Sequence, residues 1–451
     1  MKELEYPFDA NDILTNKKKL RRRLLATGEK RLPKKLAILG LSTTHDIKEI
    51  LELFLLNYGI APTFYESEYA QGWNDAVFGN PELDAFKPDV IFIHSSARNI
   101  TDWPAVTDSR EEVDRKLESC FARYRQLWQK IEERYACPVI QNNFELPFWR
   151  LLGNRDAWDY RGRVNFTNRL NAQFAEWAEG HEDFFINDIN YLSSSYGLER
   201  WSDPFYYHMY KYILAVPAIP RFAFNLANII KSIYGKNKKA LALDLDNTLW
   251  GGVVGDDGAD NIEIGQETPV AQLYSEFQSY VKAHKDIGVR LTVNSKNDEG
   301  NALAGLARPD SILRKEDFID IKANWDSKDA NLRAIADDLN IGADALVFVD
   351  DNPAEREIVR QGVPGAAVPE LSEPEHYIGT LDRAGYFEMT AFSADDLKRG
   401  EMYRANVERK KSEVAFTDYG SYLDSLEMQG EIAPFAPLYM SRIAQLTNKS
   451  N

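Results

Sequence analysis

The sequence is poor in cysteine, and its first residues are not apolar. Its 451 residues include two cysteines, Cys120 and Cys137, which is too few for the disulfide framework of a small secreted scaffold. Residues 1–5 contain no apolar core of the kind that a secretory signal requires, so secretion has no support. Free thiols are typical of a reducing compartment, and we therefore expect a cytoplasmic protein.

Positive charge and long apolar runs are also scarce. The formal net charge is -16, whereas general nucleic-acid binders carry a basic excess. The basic cluster at 17–23 is interpreted as a solvated helix face, with Leu20, Leu24 and Leu25 packing inward. The most apolar long window, 212–230, contains two prolines and an arginine and is a poor membrane span. We expect neither nucleic acid nor a membrane as a partner.

What is present is an alternation of apolar strands and amphipathic helices. With 44% apolar residues the chain has ample material for two or three hydrophobic cores. Strand patterns alternate with helical ones, which indicates parallel sheets with right-handed crossovers. The sequence predicts an α/β fold with two parallel-sheet domains. The predicted boundaries are a helical lead-in at 1–34, a first α/β domain at 35–235, a second at 236–380, and a helical extension at 381–451.

Two carboxylates stand two residues apart at the end of an apolar strand. Because a strand alternates its faces, Asp244 and Asp246 can aim at one pocket while Leu243 and Leu245 enter the core. Open parallel sheets bind ligands at this edge. An acidic strand end that caps the following turn explains the same pair equally well.

Three later clusters favour a functional site over a turn cap. Ser295 ends the second predicted strand of this domain, Lys328 precedes an amphipathic helix, and Asp350 and Asp351 follow another apolar strand. Four polar clusters at strand or helix ends are therefore expected to form one constellation.

This constellation resembles that of the haloacid dehalogenase (HAD) phosphatase superfamily. The nearer similarity, over almost the whole chain, is to the FkbH-like subfamily. It is carried by the run at 244–255, the Ser-Lys-Asn-Asp at 295–298, the Asn-Trp at 324–325, and the Asp-Asp-Asn-Pro at 350–353 with Glu355 and Arg356. The resemblance implies a Rossmann-like second domain. The gaps at 252–294 and 296–327 hold no cap domain. We therefore expect either an open cleft that takes a large or carrier-bound substrate, or a cleft from which a neighbouring domain excludes water, with the first domain as the obvious lid.

The resemblance also implies the roles of the site residues. Asp244 would attack a phosphoryl group and form an aspartyl phosphate, and Asp246 would act as general acid and base. Ser295 and Lys328 would hold the phosphoryl oxygens. Thr248 would orient Asp246.

The implied cofactor is Mg²⁺, which prefers oxygen ligands. Asp244, the main-chain carbonyl of Asp246 and the Asp351 side chain would bind it. Asp350 is placed behind them, hydrogen-bonded to a metal-bound water or to the lysine, although the order of Asp350 and Asp351 can be reversed. Lys322 competes for the lysine position, but it continues a strand whereas Lys328 opens a helix.

The first domain is similar in motif order to the SGNH hydrolases, which have a flavodoxin-like sheet. Ser42 follows the first strand, Asn99 follows the third, and Asp203 and His208 come late. Leu41 stands where those hydrolases have an acid, and the spacing from Asp203 to His208 is too long. We interpret the domain as a degenerate relative used for binding in preference to an active esterase.

FkbH-like proteins remove phosphate from a phosphorylated glyceryl unit and deliver that unit to an acyl carrier protein in natural-product assembly. The resemblance therefore implies a phosphorylated small-molecule or carrier-bound substrate and an acyl carrier protein as partner. Transfer through a thioester needs a cysteine near the site, whereas Asn294 precedes Ser295. A plain HAD phosphohydrolase acting on small metabolites or sugars is the alternative, and a nonenzymatic scaffold is the third. Residues 442–451 resemble the start of an acyltransferase-like region, which we expect to be truncated or lost.

Overall fold

The computed structural model describes residues 1–392 and contains two parallel sheets with helices packed against them. The α/β class with two parallel-sheet domains is therefore as predicted. The acyltransferase-like start at 442–451 and most of the predicted helical extension lie outside the described residues. Within residues 1–392, every helix is too short or too polar to cross a membrane.

The first sheet has the strand order β2-β1-β3-β4-β5, and all of its neighbouring strands are parallel. Its strands are β1 (Leu32–Gly40), β2 (Ile60–Glu66), β3 (Val90–His94), β4 (Val139–Asn142) and β5 (Phe184–Asn187). Its helices are α1 (Ala10–Ala26), α2 (His45–Asn57), α3 (Gly72–Phe78), α4 (Pro81–Phe86), α5 (Arg110–Arg134), α6 (Arg163–Glu179), α7 (Ile189–Tyr196), α8 (Leu198–Trp201), α9 (Pro204–Tyr210) and α10 (Ile219–Ile233). Strand β5 was not predicted, because only four residues of a polar and aromatic segment form it.

The basic face of α1 is neutralised by the neighbouring helix α2. Lys17 lies 2.5 Å from Glu49, and Arg21 lies 2.7 Å from Glu52. Leu20 and Leu24 are buried as expected, but Leu25 is 47% exposed, so its predicted inward packing is wrong. The helix turns Leu25 about 100° beyond Leu24 and away from α2.

The second sheet has the strand order β8-β7-β6-β9 and is also parallel. Its strands are β6 (Ala240–Leu243), β7 (Arg290–Ser295), β8 (Asp320–Ala323) and β9 (Leu346–Val349). Its helices are α11 (Val254–Asp257), α12 (Pro269–Asp286), α13 (Glu299–Leu306), α14 (Lys328–Asp338), α15 (Pro353–Gly362) and α16 (Tyr377–Arg383). A short antiparallel bridge joins Gly251 to Glu263 in the segment between β6 and α12.

The two domains meet along α10. The Ser232 hydroxyl of α10 donates to the carbonyl oxygen of Glu388 over 2.9 Å. The segment that contains Glu388 is tied to the start of β6, because the N–H of Lys238 donates to the carbonyl oxygen of Tyr386 over 3.0 Å. These contacts lie near the amino end of β6, whereas Asp244 follows its carboxyl end. This arrangement argues against the first domain as a lid over Asp244.

Candidate active site

The carboxyl edge of the second sheet places two aspartates side by side. Leu243 of β6 is paired with Val349 of β9, so Asp244 and Asp350 leave adjacent strands at the same level. The Asp244 N–H continues the ladder by donating to the carbonyl oxygen of Val349 over 2.9 Å. The two strands that precede these aspartates, β6 and β9, are apolar and fully buried, which fixes both carboxylates at the edge of a rigid sheet.

Lys328 joins these two aspartates. Its ammonium lies 2.8 Å from Oδ2 of Asp244 and also forms an ion pair with Asp350. Burial lowers the pKa of Lys328, but the two carboxylates outweigh this effect, so that the pKa is raised and the ammonium stays charged. Lys322 lies elsewhere, 2.7 Å from Asp338 and paired with Asp320.

Three carboxylates are close enough to hold one cation. Oxygen atoms of Asp244, Asp350 and Asp351 lie within 4.8 Å of one another. Burial and the charge of Asp244 raise the pKa of both Asp350 and Asp351, which is the repulsion that a bound divalent cation relieves. An all-oxygen donor set of this kind fits Mg²⁺.

Asp350 and Asp351 differ in how far hydrogen bonds already occupy their carboxylate oxygens, and thus in how free these oxygens are to bind a metal. Oδ1 of Asp350 accepts the N–H of Asn352 over 2.8 Å, and Oδ2 of Asp350 is held by Lys328. Asp351 is only half-buried, and its carboxylate faces the cluster. This difference favours Asp351 as the metal ligand and Asp350 as the group behind it.

Asp246 is held by three donors. Its Oδ1 accepts from the indole of Trp250 over 2.9 Å and from the N–H of Val254 over 3.1 Å, and its Oδ2 accepts from the side-chain amide of Asn297 over 2.8 Å. Burial raises the pKa of Asp246 even though these hydrogen bonds oppose the shift. A carboxyl group that holds its proton more tightly than usual suits a general acid.

A tight turn brings Trp250 back to Asp246. Asn247 adopts the left-handed conformation with φ of 55°, which asparagine tolerates better than most residues. The indole of Trp250 is fully buried, and a Cβ on Gly305 would come within 2.7 Å of its ring, so only glycine allows this close packing. Neither Trp250 nor Asn297 had been given a role from the sequence, although both lie in the quoted motifs.

The role expected for Thr248 requires correction. Its hydroxyl accepts the N–H of Asp351 over 3.2 Å and lies 3.5 Å from Oδ1 of the same residue. The side chain of Thr248 therefore faces the loop after β9. It orients Asp351, whereas the resemblance had implied that it orients Asp246.

The remaining predicted and missed residues lie around this centre. Ser295 ends β7 two residues beyond the pairing of Val293 with Leu243, so it lies at the same edge of the sheet as Asp244. Arg356 donates to the carbonyl oxygens of Asp350 and Asp351 over 2.8 and 2.6 Å and thereby fixes their backbone. The sequence had named Arg356 only as part of a motif.

The four residues suggested in the first domain do not form a hydrolytic triad. The hydroxyl of Ser42 is buried without a hydrogen-bond partner among residues 1–392. Asp203 caps α9 by accepting the N–H groups of Phe205 and Tyr206, and His208 is exposed. The amide of Asn99 donates to the carbonyl oxygen of Leu41 over 3.2 Å. An esterase mechanism therefore lacks its activated serine.

Comparisons with known proteins support one relationship. The family model of the FkbH N-terminal domain matches residues 35–231. The crystal structure of the N-terminal part of the protein BF1531 from Bacteroides fragilis, which contains a phosphatase domain and is complexed with Mg, shares 30% identity and a TM-score of 0.75, and the match covers 83% of this chain and 99% of that one.

Other matches are much weaker. UDP-GlcNAc 2-epimerase from Neisseria meningitidis has a TM-score of 0.17 at 10% identity, over 84% of this chain and 99% of that one. Tagatose-6-phosphate ketose/aldose isomerase from Escherichia coli has a TM-score of 0.18 at 9% identity, over 88% of each chain. Such scores carry no argument about fold or function. A search of curated proteins gave no match.

Proposed function

The chain belongs to the FkbH-like family, and we propose that it is a Mg²⁺-dependent phosphatase of the HAD type that removes phosphate from a phosphorylated short acyl unit such as glyceryl. The observation that carries the proposal is the contact of Lys328 with Asp244 inside a cluster of three carboxylates. The related BF1531 structure contains a phosphatase domain and Mg, which supports the same chemistry here.

In this mechanism Asp244 is the nucleophile. Its carboxylate attacks phosphorus, the bond to the leaving oxygen breaks, and an aspartyl phosphate forms. Asp246 gives its proton to the leaving oxygen and then takes a proton from the water that hydrolyses the aspartyl phosphate. Burial shifts the pKa of Asp246 upward, which is the direction that a general acid requires.

The remaining residues place the phosphoryl group and neutralise its charge. Phosphoryl transfer is accelerated chiefly by in-line positioning and by cations that face the equatorial oxygens. Lys328 and Ser295 would hold these oxygens at the sheet edge. Asp244, Asp351 and the carbonyl oxygen of Asp246 would bind Mg²⁺, which supplies charge neutralisation and orientation when bound.

Phosphate release tests this proposal. Wild-type protein should release phosphate from a phosphoglyceryl substrate when Mg²⁺ is present and should lose that activity in EDTA. Asp244→Asn should abolish release, while Asp286→Asn, on the exposed end of α12, should retain it. Turnover by Asp244→Asn at the wild-type rate would refute the assignment of the nucleophile.

Delivery of the acyl unit to an acyl carrier protein is the second step that we propose from family membership. One observation favours simple hydrolysis: burial raises the pKa of Cys120 to about 11 and that of Cys137 to about 12, so neither thiol is activated. Both cysteines also belong to the first domain. Mass spectrometry of a carrier protein incubated with this protein and a phosphoglyceryl donor decides between acyl transfer and simple hydrolysis. Transfer adds mass to the carrier, whereas hydrolysis releases phosphate alone.

A further inference from the structure

The first domain has a cleft of its own at the carboxyl edge of its sheet. The cleft lies beyond the carboxyl ends of the adjacent parallel strands β3 and β4, and open α/β sheets bind ligands at this edge. The cleft encloses about 180 Å³ and is bounded by residues that follow β3, residues that follow β4, the first residue of α6 and Tyr207 of α9.

Two arginines line this cleft, and each lies over aromatic rings. The guanidinium of Arg98 is 3.9 Å from the ring centre of Tyr207 and 5.3 Å from that of Phe148. The guanidinium of Arg163 is 5.2 Å from the ring centre of Trp103 and 5.8 Å from that of Trp149. Stacking on rings fixes the plane of a guanidinium and leaves its N–H groups available at the edge.

Within residues 1–392, Arg98 and Arg163 have no carboxylate partner, whereas two nearby arginines share one. Arg155 and Arg161 both pair with Asp159, at 2.7 and 3.0 Å. Among the residues that the structure describes, Arg98 and Arg163 form no ion pair, and Nε of Arg98 is buried without a hydrogen-bond partner. Two unpaired cations at one cleft are conspicuous in a chain with a net charge of -16, because they make a local positive site in a negative protein.

A buried carboxyl group lies behind Arg98. Glu145 accepts the N–H of Ala97 at Oε2 over 3.2 Å, while its Oε1 is buried without a partner. Burial raises the pKa of Glu145, although the charge of Arg98 opposes the shift. Glu145 therefore offsets the charge of Arg98 only in part, and it does not occupy the face of Arg98 that borders the cleft.

We propose that the cleft of the first domain binds a small organic anion, with Arg98 and Arg163 holding its carboxylate or phosphate and the aromatic walls packing against its apolar or planar body. The volume limits that body to a few carbons or a single ring. Arginine gives the planar, multiply donating contact that such head groups require. Trp149, which is 60% exposed at the rim, closes one side of the cleft.

Phenylphosphonate is a suitable probe because it joins an anionic head to a ring and cannot be hydrolysed. It is titrated into the full chain in EDTA, with tryptophan fluorescence and calorimetry as readouts. We expect saturable binding that Arg98→Gln and Arg163→Gln each weaken by at least about tenfold, the size of one lost charge-assisted contact. Benzoate and inorganic phosphate then distinguish carboxylate from phosphate ligands, and neutral phenol should bind at least tenfold more weakly than either aromatic anion.

Two controls locate the binding. Arg110→Gln removes an exposed arginine that lies 4.7 Å from the ring centre of Tyr160 outside the cleft, and it should bind the probe as the wild type does. Lys328→Met removes the phosphoryl-holding cation of the second domain and should also bind normally. Circular dichroism confirms that each variant is folded. Absence of saturable binding at millimolar probe, unchanged affinity in both cleft variants, or an equal loss in either control would overturn the proposal.

Discussion

The ammonium of Lys328 lies 2.8 Å from Oδ2 of Asp244, although 84 positions of sequence separate the helix start from the strand end. The two meet because α14 begins at the carboxyl edge of the sheet, next to the loop that follows β6. A cation in direct contact with the proposed nucleophile serves two purposes. It offsets the negative charge of Asp244 and Asp350, and it would face the equatorial oxygens of a bound phosphoryl group.

Replacing Lys328 by methionine tests both purposes. The variant should lose about 10²- to 10³-fold in kcat, the usual cost of removing one charge-stabilising donor. Without the ammonium, the carboxylates of Asp244 and Asp350 repel each other more strongly, so Mg²⁺ should raise the melting temperature of the variant more than that of the wild type.

Lys322→Met is the matched control for this prediction. Lys322 belongs to the neighbouring strand β8 but pairs with Asp338, so its loss should leave both kcat and the thermal response to Mg²⁺ near wild-type values. An equal loss of kcat in the two variants would show that Lys328 has no special role.

Asp246→Asn should separate the two halves of the reaction. An aryl phosphate has a leaving group that needs little protonation, so the first step should still occur with p-nitrophenyl phosphate. Hydrolysis of the aspartyl phosphate needs a base and should slow by about 10²-fold or more. Stopped-flow absorbance should then show a burst of p-nitrophenol stoichiometric with enzyme, followed by slow turnover. A rate that falls with no burst would contradict the assignment of Asp246 to both steps.

Thr248→Val should weaken metal binding more than catalysis. The hydroxyl contacts both the N–H and Oδ1 of Asp351, and groups that orient a metal ligand typically contribute 10- to 100-fold to affinity, so we expect a loss of about tenfold in Mg²⁺ affinity. The kcat at saturating Mg²⁺ should stay within about twofold of wild type, because no reacting atom is removed. Calorimetric titration with Mg²⁺ measures the first effect, and Thr248→Ser, which keeps the hydroxyl, should restore it.

The strand ends of this protein were predictable from sequence, but the turns between them were not. Asp244 and Asp350 each follow a short apolar strand, and parallel topology alone brings such residues to one edge. The partners of Asp246 depend on the left-handed Asn247, which no periodicity reveals. The side chain of Thr248 was assigned to the wrong aspartate for the same reason, since its direction is set within that turn.

The cleft of the first domain shows a second kind of limit. Arg98 follows β3 and Arg163 opens α6, and no spacing rule connects two residues so far apart along the chain. They share a cleft only because β3 and β4 are adjacent in the sheet and α6 returns to their carboxyl ends. Unpaired charge is likewise a property of three-dimensional packing, because the sequence cannot tell which arginines find a carboxylate.

The buried carboxyl group of Glu145 should make stability depend on pH. Burial raises its pKa from the ordinary value of 4.5 to about 7, so between these values the folded protein binds more protons than the unfolded chain. The free energy of unfolding therefore falls as pH rises through this window, and the full cost above pH 7 is on the order of 3 kcal/mol.

Glu145→Gln removes this titration and keeps an acceptor for the N–H of Ala97. Relative to wild type, the variant should thus gain stability as pH rises from about 4.5 to 7. Urea unfolding at several pH values measures the difference, with Glu111→Gln on the exposed start of α5 as control. The comparison rests on the slope of that difference with pH, because a new buried amide adds a constant offset that does not titrate. A difference that stays flat across the window would show that Glu145 is ionised in the folded protein at its ordinary pKa.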